Sequence, residues 1–266
     1  NVLSIPEWVG GRFSLWGSVG LIISIVIGSK NFKEFLKGAE SMDLHFRNSP
    51  FEKNIPIILA VISIWYNNFF KCETEAVLPY NQFLGKLPDY LQQASMESNG
   101  KSIDRGGNKV NYETGSIIWG STGTNAQHAF FQLMHQGTKI IPSDFIAFKK
   151  SLYGDSKQHD ILISNFLAQT NALMMGKNST GSEIHKNIEG NKPSNSIVIN
   201  KLTPSSLGAL ISMYENKIFT IGSVLNIYSY DQWGVELGKS IARDISNGKQ
   251  DNLDKSTIKI SEILKS

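Results

Sequence analysis

The feature that most constrains this fold is the regular alternation of short apolar segments with longer segments of helical periodicity. The short segments are rich in Val, Ile and aromatic residues, as strands are; they are 75–80, 116–119, 139–148 and 196–202. The spacing of apolar residues predicts helices at 21–27, 31–46, 57–69, 81–93, 124–136, 160–175, from 204 onward, 231–245 and 255–264. The polar segment 177–192 is predicted to be a surface loop.

Strands that alternate with helices predict an α/β fold. The sheet is expected to be mixed and mainly parallel, with helices on both faces, which gives three layers. The segment 57–69 is apolar nearly all round, so we predict that this helix is buried. Ligands in such folds bind beyond the carboxyl ends of the strands. The loops to search first are those after Tyr80, Trp119 and Leu202.

Composition excludes several classes of protein. The 266 residues are 41% hydrophobic, which is enough for a core and excludes a disordered chain. The net charge is +3 and no basic block is present, so no nucleic-acid partner is expected. The longest apolar runs, 20–28 and 55–66, are too short to span a bilayer, so no membrane partner is expected. The single cysteine, Cys72, fits a reducing compartment, and we expect a cytoplasmic protein.

Two charged residues stand out because of their neighbours. Arg12 follows Gly10 and Gly11. A backbone without side chains lets a ligand approach closely, and a guanidinium offers a planar fork for oxyanions; a surface loop with an ordinary arginine is the alternative. Glu97 lies where a helix is expected to end. A partly desolvated carboxylate there can act as a general base, and a solvated turn residue is the alternative.

Two pairs of polar residues recur at a spacing of seven on predicted helices. His128 and His135 follow a Gly-rich turn. They are too far apart on one helix to share a metal ion, and a lone histidine is commonly a hydrogen-bonded structural residue. Gln232 and Lys239 share a face of the helix that Asp231 is expected to cap. An ordinary amphipathic surface helix gives the same spacing.

Four segments together resemble the glucose-6-phosphate isomerase (phosphoglucose isomerase) family. The segment 7–20, EWVGGRFSLWGSVG, resembles the first signature of the family, and 230–239, YDQWGVELGK, resembles the second. Between them, 96–101 and 123–130 resemble the catalytic loop and the histidine segment. The resemblance covers nearly the whole chain, with the motifs in the correct order. One departure is Ala126, where a glycine is usual.

The resemblance implies an aldose–ketose isomerase of glycolysis and gluconeogenesis. Such an enzyme interconverts glucose 6-phosphate and fructose 6-phosphate without a metal or an organic cofactor. Glu97 matches the base that moves a proton between carbons 2 and 1 through a cis-enediol, and Arg12 matches the cation beside the developing enediolate. His128 and Lys239 match the groups that open the sugar ring. The positions that match substrate contacts are Gln93 and Gln232.

The resemblance also implies a homodimer and a division into domains. His128 is expected to complete the site of the neighbouring subunit. Residues 1–26 are expected to be the tail of a first sugar-isomerase domain, and residues 27–266 the second, larger domain with the C-terminal helices. The first domain would carry the loop that grips the substrate phosphate, so the isolated chain is expected to be inactive. The residues expected to lose packing partners are Val9, Phe13, Leu15 and Trp16.

Two other interpretations stay open at this point. Sugar-isomerase domains also occur in regulators, where they bind phosphosugars without catalysis. A pure binding module does not need Glu97, His128 and Lys239 together, and their joint presence in matching motifs favours the enzyme. The other interpretation is a fragment of the isomerase that folds and does not turn over.

Overall fold

The computed structural model describes residues 2–249 and 253–265, and its centre is a four-stranded sheet. The strands are β1 (Thr74–Pro79), β2 (Ile117–Gly120), β3 (Ser143–Lys150) and β4 (Ser194–Lys201). They lie in the order β2-β1-β3-β4, and every described pairing is parallel. This confirms the predicted α/β fold. The pairing is more uniform than the mixed sheet that the pattern allowed.

Ten α-helices surround or follow the sheet in the described residues. In chain order they are α1 (Leu21–Ile27), α2 (Ser29–Asn48), α3 (Ile55–Phe69), α4 (Leu87–Leu91), α5 (Gly123–Ala129), α6 (Phe131–Gln136), α7 (Ser156–Met175), α8 (Pro204–Val224), α9 (Trp233–Ser246) and α10 (Lys255–Lys265). Thr203 begins α8 with a capping box, and Pro204 stands in its first turn. No helix of the described ranges is long and apolar enough to cross a membrane.

Side chains of the strands alternate between two apolar clusters, one on each face of the sheet. On one face, Val77 and Ile146 pack with residues of α3, α4 and α8, such as Leu59, Leu91 and Leu210. On the other face, Leu78 and Phe145 pack with residues of α5, α6 and α7, such as Ala126, Phe131 and Phe166. The helices therefore cover both faces, which gives the three layers that the alternation predicts.

The helices α2 and α8 cross at a very short distance. A Cβ on Gly38 would lie 1.8 Å from the carbonyl oxygen of Ser205, and a Cβ on Gly208 would lie 2.0 Å from that of Phe35. Only glycine permits this distance between the two backbones. The crossing holds α8 against α2.

Three local expectations need correction. The helix predicted at 124–136 is broken at Phe130, whose φ of −145° and ψ of 2° end α5. The break lets both Phe130 and Phe131 pack in one cluster, which neighbours on one straight helix do not do.

The helix predicted to be buried, α3, is only half covered, because only one of its faces packs on the sheet. Its other face exposes an apolar stripe of Ile55, Ile58, Val61, Trp65 and Phe69. Asp231 does not cap α9: Gln232 holds the cap position, and Asp231 accepts a hydrogen bond from Trp233 Nε1.

The chain forms two compact units, residues up to Tyr230 and residues from Asp231 onward. The first contains the sheet and α1 to α8, and the second contains α9 and α10. Within the first unit, two of the side chains expected to lose their partners are packed: Phe13 meets Tyr230 edge to face, and Trp16 stacks on Phe35. Each of these two residues therefore has an aromatic partner within the chain and remains partly exposed.

Candidate active site

Three of the predicted site residues meet at one carboxylate. Arg12 Nη1 lies 3.2 Å from Glu97 Oε2, and Gln93 Nε2 donates a hydrogen bond of 3.1 Å to the same oxygen. The Arg12 side chain is 3% exposed and that of Glu97 is 18% exposed. A fixed cation therefore faces a carboxylate that solvent or a ligand can still reach. Such a pair can remove a proton and stabilise the anion that forms.

The segment that carries Gln93 and Glu97 is a short stretch of π-helix, the π-turn. It spans Gln92–Glu97 and continues directly from α4. Backbone turns of this kind are rare and frequently occur at functional sites. The apolar pattern predicted a helix up to about residue 93 and did not reveal the wider turn, which sets the direction of the Glu97 side chain.

Arg12 is oriented by groups from distant parts of the chain. Its Nε donates to Ser98 Oγ at 2.9 Å, and its Nη2 donates to the carbonyl oxygen of Ser229 at 3.1 Å. The guanidinium carbon also lies 5.5 Å from the centre of the Phe13 ring. Sequence reasoning missed Ser98 and Ser229. Ser98 could have been found as the neighbour of Glu97, whereas a backbone carbonyl such as that of Ser229 leaves no signal in the sequence.

The turn after Glu97 is tied to its surroundings on two sides. Asn99 Nδ2 donates to the carbonyl oxygen of Ile218, near the end of α8, at 3.1 Å. Lys101 Nζ donates to the carbonyl oxygens of Glu97 and Ser98 at 2.9 and 2.7 Å. The Lys101 bonds satisfy backbone carbonyls at the end of the π-turn. Together with the Asn99 bond they hold the segment of Glu97 in place.

This cluster lies at the amino ends of the strands. Gly115 lies two residues before β2, and a Cβ on Gly115 would lie 3.1 Å from the Cα of Gly100. The chain leaves the carboxyl end of β1, passes through α4 and reaches Glu97 only after it has returned to the opposite edge. The loops after the strands, where the parallel sheet predicts a ligand, are therefore not where Arg12, Gln93 and Glu97 meet.

His128 lies in α5, the first helix after the carboxyl end of β2, and its side chain is exposed. The neighbouring Gln127 donates to the hydroxyl of Tyr80, which directly follows β1. Within residues 2–249 and 253–265, His128 makes no hydrogen bond or ion pair with Glu97. His135 is bonded to Gln169 across 2.8 Å, which agrees with the interpretation of a structural histidine.

Gln232 and Lys239 belong to the second unit. Lys239 Nζ lies 2.9 Å from Glu236 Oε1 on the exposed surface of α9, and this bond lowers the pKa of Glu236. Gln232 stands at the start of the same helix. In the part of the chain that the structure describes, no group of three or more His, Cys, Asp or Glu residues could hold a metal ion.

Comparison with known proteins gives consistent matches. Residues 1–261 match the phosphoglucose isomerase family. Glucose-6-phosphate isomerases of Christiangramia forsetii and Blochmanniella floridana are 56% and 55% identical to this chain, over 98% and 95% of its length and 52% and 49% of theirs. A crystal structure of a glucose-6-phosphate isomerase from Chlamydia trachomatis is similar with a TM-score of 0.91 at 36% identity, over 99% of this chain and 52% of that chain. This chain spans about half the length of the curated relatives it matches.

Proposed function

The chain belongs to the phosphoglucose isomerase family, and we propose that it supplies the proton-transfer groups of an enzyme that interconverts glucose 6-phosphate and fructose 6-phosphate. The observation that carries this proposal is the buried Arg12 guanidinium held 3.2 Å from the partly exposed Glu97 carboxylate. Because the chain covers about half of its relatives, the activity is proposed for the full-length protein.

In the proposed mechanism, Glu97 is the base. Its carboxylate takes the proton from carbon 2 of the open-chain aldose, and the electrons of that C–H bond form the enediol double bond. The proton of the carbon 2 hydroxyl passes to the oxygen on carbon 1, the protonated Glu97 returns its proton to carbon 1, and the carbonyl of the ketose forms at carbon 2. Arg12 stabilises negative charge on the enediolate oxygen, and a cation in a site shielded from water does this far better than one in bulk solvent. Gln93, bonded to the same carboxylate, is proposed to contact the substrate.

Ring opening precedes this step and needs other groups. We assign it to His128 and Lys239, which move a proton between the ring oxygen and the hydroxyl of carbon 1. Gln232 is proposed as a further substrate contact. These three assignments are supported by the family motifs in which the residues stand.

A homodimer with shared sites is part of the proposal. Glu97 lies at the amino edge of the sheet, whereas His128 is exposed on the helix that follows the carboxyl edge. One chain does not need to bring them together if His128 enters the site of the neighbouring subunit. The remainder of the full-length protein would supply the grip on the substrate phosphate, with residues 1–26 as the tail of its first domain and 27–266 as the second. The enzyme is proposed to act in the cytoplasm, which its single cysteine fits.

The test of the base assignment uses Glu97→Gln in the full-length protein, with the exposed Glu52→Gln as a matched control. We expect Glu97→Gln to bind substrate and to lose solvent-proton exchange at carbon 2 by about 10²- to 10⁴-fold. Glu52→Gln should exchange like the unaltered protein. Near-normal exchange in Glu97→Gln would exclude Glu97 as the base, and binding without any isomerisation by the unaltered protein would favour a phosphosugar-binding module.

The test of the shared site mixes inactive Glu97→Gln and His128→Ala subunits. If each site uses Glu97 of one chain and His128 of the other, a heterodimer has one site with both changes and one with neither. Re-association should then restore up to about half the activity per heterodimer. Heterodimers that form and stay inactive would mean that each site is built from one chain.

A further inference from the structure

Glu215 holds together two segments that lie far from it and from each other in the sequence. It lies on α8 and is partly buried. Trp16 Nε1 donates to its Oε2 at 2.7 Å, and the hydroxyl of Tyr90 donates to its Oε1 at 2.7 Å. Both oxygens of one carboxylate thus have a short hydrogen bond, each to a different segment.

These two segments carry the two members of the candidate ion pair. Trp16 ends the short 3-10 helix Gly11–Trp16, which contains Arg12. Tyr90 lies in α4, which continues into the π-turn that ends at Glu97. We infer that Glu215 is a positioning residue, which fixes the Arg12 segment and the Glu97 segment at the separation the ion pair needs. Its catalytic meaning rests on the proposed function, whereas its effect on Arg12 does not.

Packing alone does not explain a carboxylate in this place. An ionised group shielded from water is unfavourable unless strong hydrogen bonds compensate it. Both donors are neutral, and the indole of Trp16 already stacks on Phe35 with ring centres 4.8 Å apart. Burial and, to a smaller extent, the nearby Asp43 raise the pKa of Glu215 to about 7, although the two hydrogen bonds lower it. The group is therefore retained at an energetic disadvantage, which is common for residues that serve function rather than stability.

The expected consequence is a defect in geometry. Arg12 also contacts Ser98, the residue after Glu97, so a shift of either segment changes the Arg12–Glu97 distance. A misplacement of about 1 Å in a reacting group can lower the rate by about 10²-fold. Loss of Glu215 should therefore act on kcat more than on KM, because the groups that meet the substrate are all still present.

The experiment compares Glu215→Leu, Glu215→Gln and Met213→Ala in the full-length protein. Glutamine keeps an oxygen that accepts from Trp16 and an NH₂ group that donates to the Tyr90 oxygen, so it preserves both bonds. Met213 is a buried residue of α8 that faces the sheet and controls for loss of stability alone. We expect Glu215→Leu to lower kcat by up to about 10²-fold with KM within about threefold. Glu215→Gln should restore kcat, and Met213→Ala should keep it.

A second measurement does not depend on turnover. The Nε–H resonance of Arg12, identified by its absence in Arg12→Lys, should shift in Glu215→Leu and stay in place in Glu215→Gln and Met213→Ala. If Glu215→Leu does not fold, Trp16→Phe, which removes one donor and keeps the ring stack, should shift the same resonance. An unchanged resonance, or a kcat lowered as much in Glu215→Gln as in Glu215→Leu, would overturn the inference. A full-length protein without isomerase activity would overturn the proposed function instead, and the resonance would still decide the role of Glu215.

Discussion

Two glutamates at the helix α8 lie in opposite electrostatic environments. One, Glu75, is bonded to a side chain of α8, and the other, Glu215, is part of α8. Glu75, on β1, faces the ammonium of Lys217 at 2.7 Å. Glu215, two residues before Lys217, faces only neutral donors in its two short hydrogen bonds. Burial raises the pKa of both, yet the attraction and hydrogen bond of Lys217, with bonds from Ser63 and Ser116, bring the pKa of Glu75 below its ordinary value. The pKa of Glu215 instead rises to about 7.

In the cluster around Lys217, each charged side chain that the structure describes faces a group of opposite charge. Asp144, on β3, lies 3.9 Å from Lys217 Nζ and accepts hydrogen bonds from Tyr214 and Asn195. Burial lowers the pKa of Lys217, but Glu75 and Asp144 more than reverse this and raise it. The cluster braces α8 against β1 and β3, which is a structural role.

The difference teaches what a buried carboxylate can be used for. A carboxylate paired with a cation is a rigid brace, because removing either partner leaves an uncompensated charge. A carboxylate between neutral donors is still partly protonated near neutral pH. Its two hydrogen bonds fix the orientation of the donor side chains without a cation. In this chain the second arrangement is the one beside the candidate site.

The largest effect is expected from Lys217→Met, which leaves Glu75 and Asp144 without their ammonium. Breaking a buried pair in this way costs about 3–5 kcal/mol of folding free energy. Urea unfolding at pH 7 should show a loss of this size or a protein that does not fold. The matched control is Lys217→Met combined with Glu75→Gln, which removes one of the two stranded charges and should recover a large part of the loss. A single variant as stable as the unaltered protein would mean that the cluster is no brace.

The second effect has the opposite sign. Because the folded pKa of Glu215 lies above that of the unfolded chain, its contribution to stability is complete at low pH and is lost as the pH rises through about 7. Glu215→Gln removes this titration and keeps both hydrogen bonds. We expect it to be more stable than the unaltered protein by roughly 2 kcal/mol at pH 8 and nearly equal at pH 5, allowing for partial access of water. Unfolding curves at the two pH values check this, and a variant that is less stable at pH 8 would contradict it.

Neither glutamate could be singled out from the sequence. Periodicity predicted α3, α7 and α8 because their apolar residues repeat over many turns, and two of the four family-like motifs contain Arg12 and Glu97. Gln93 stands just before the motif of Glu97 and was predicted from the family resemblance. What the sequence could not predict depends on packing between distant segments. The hydrogen bond between Trp16 and Glu215 joins residues 199 positions apart, and the π-turn and the break at Phe130 follow from tertiary packing rather than from local propensity. The roles of His128, Gln232 and Lys239 stay predictions.

The smallest effect is a change with pH: it concerns the hydroxyl of Tyr90 and separates a hydrogen bond to a charged group from one between neutral groups. Tyr90→Phe removes a donor to Glu215, which is mostly charged at pH 8 and mostly neutral at pH 5. A hydrogen bond to a charged group contributes more than one between neutral groups, so we expect a loss of about 2 kcal/mol at pH 8 and about 1 kcal/mol at pH 5. Tyr112→Phe is the matched control, because its hydroxyl donates to the backbone oxygen of Leu225 at 2.6 Å and loses a neutral bond at either pH. Equal pH dependence in both variants would mean that Glu215 does not change its charge over this range, and the contrast with Glu75 would then rest on geometry alone.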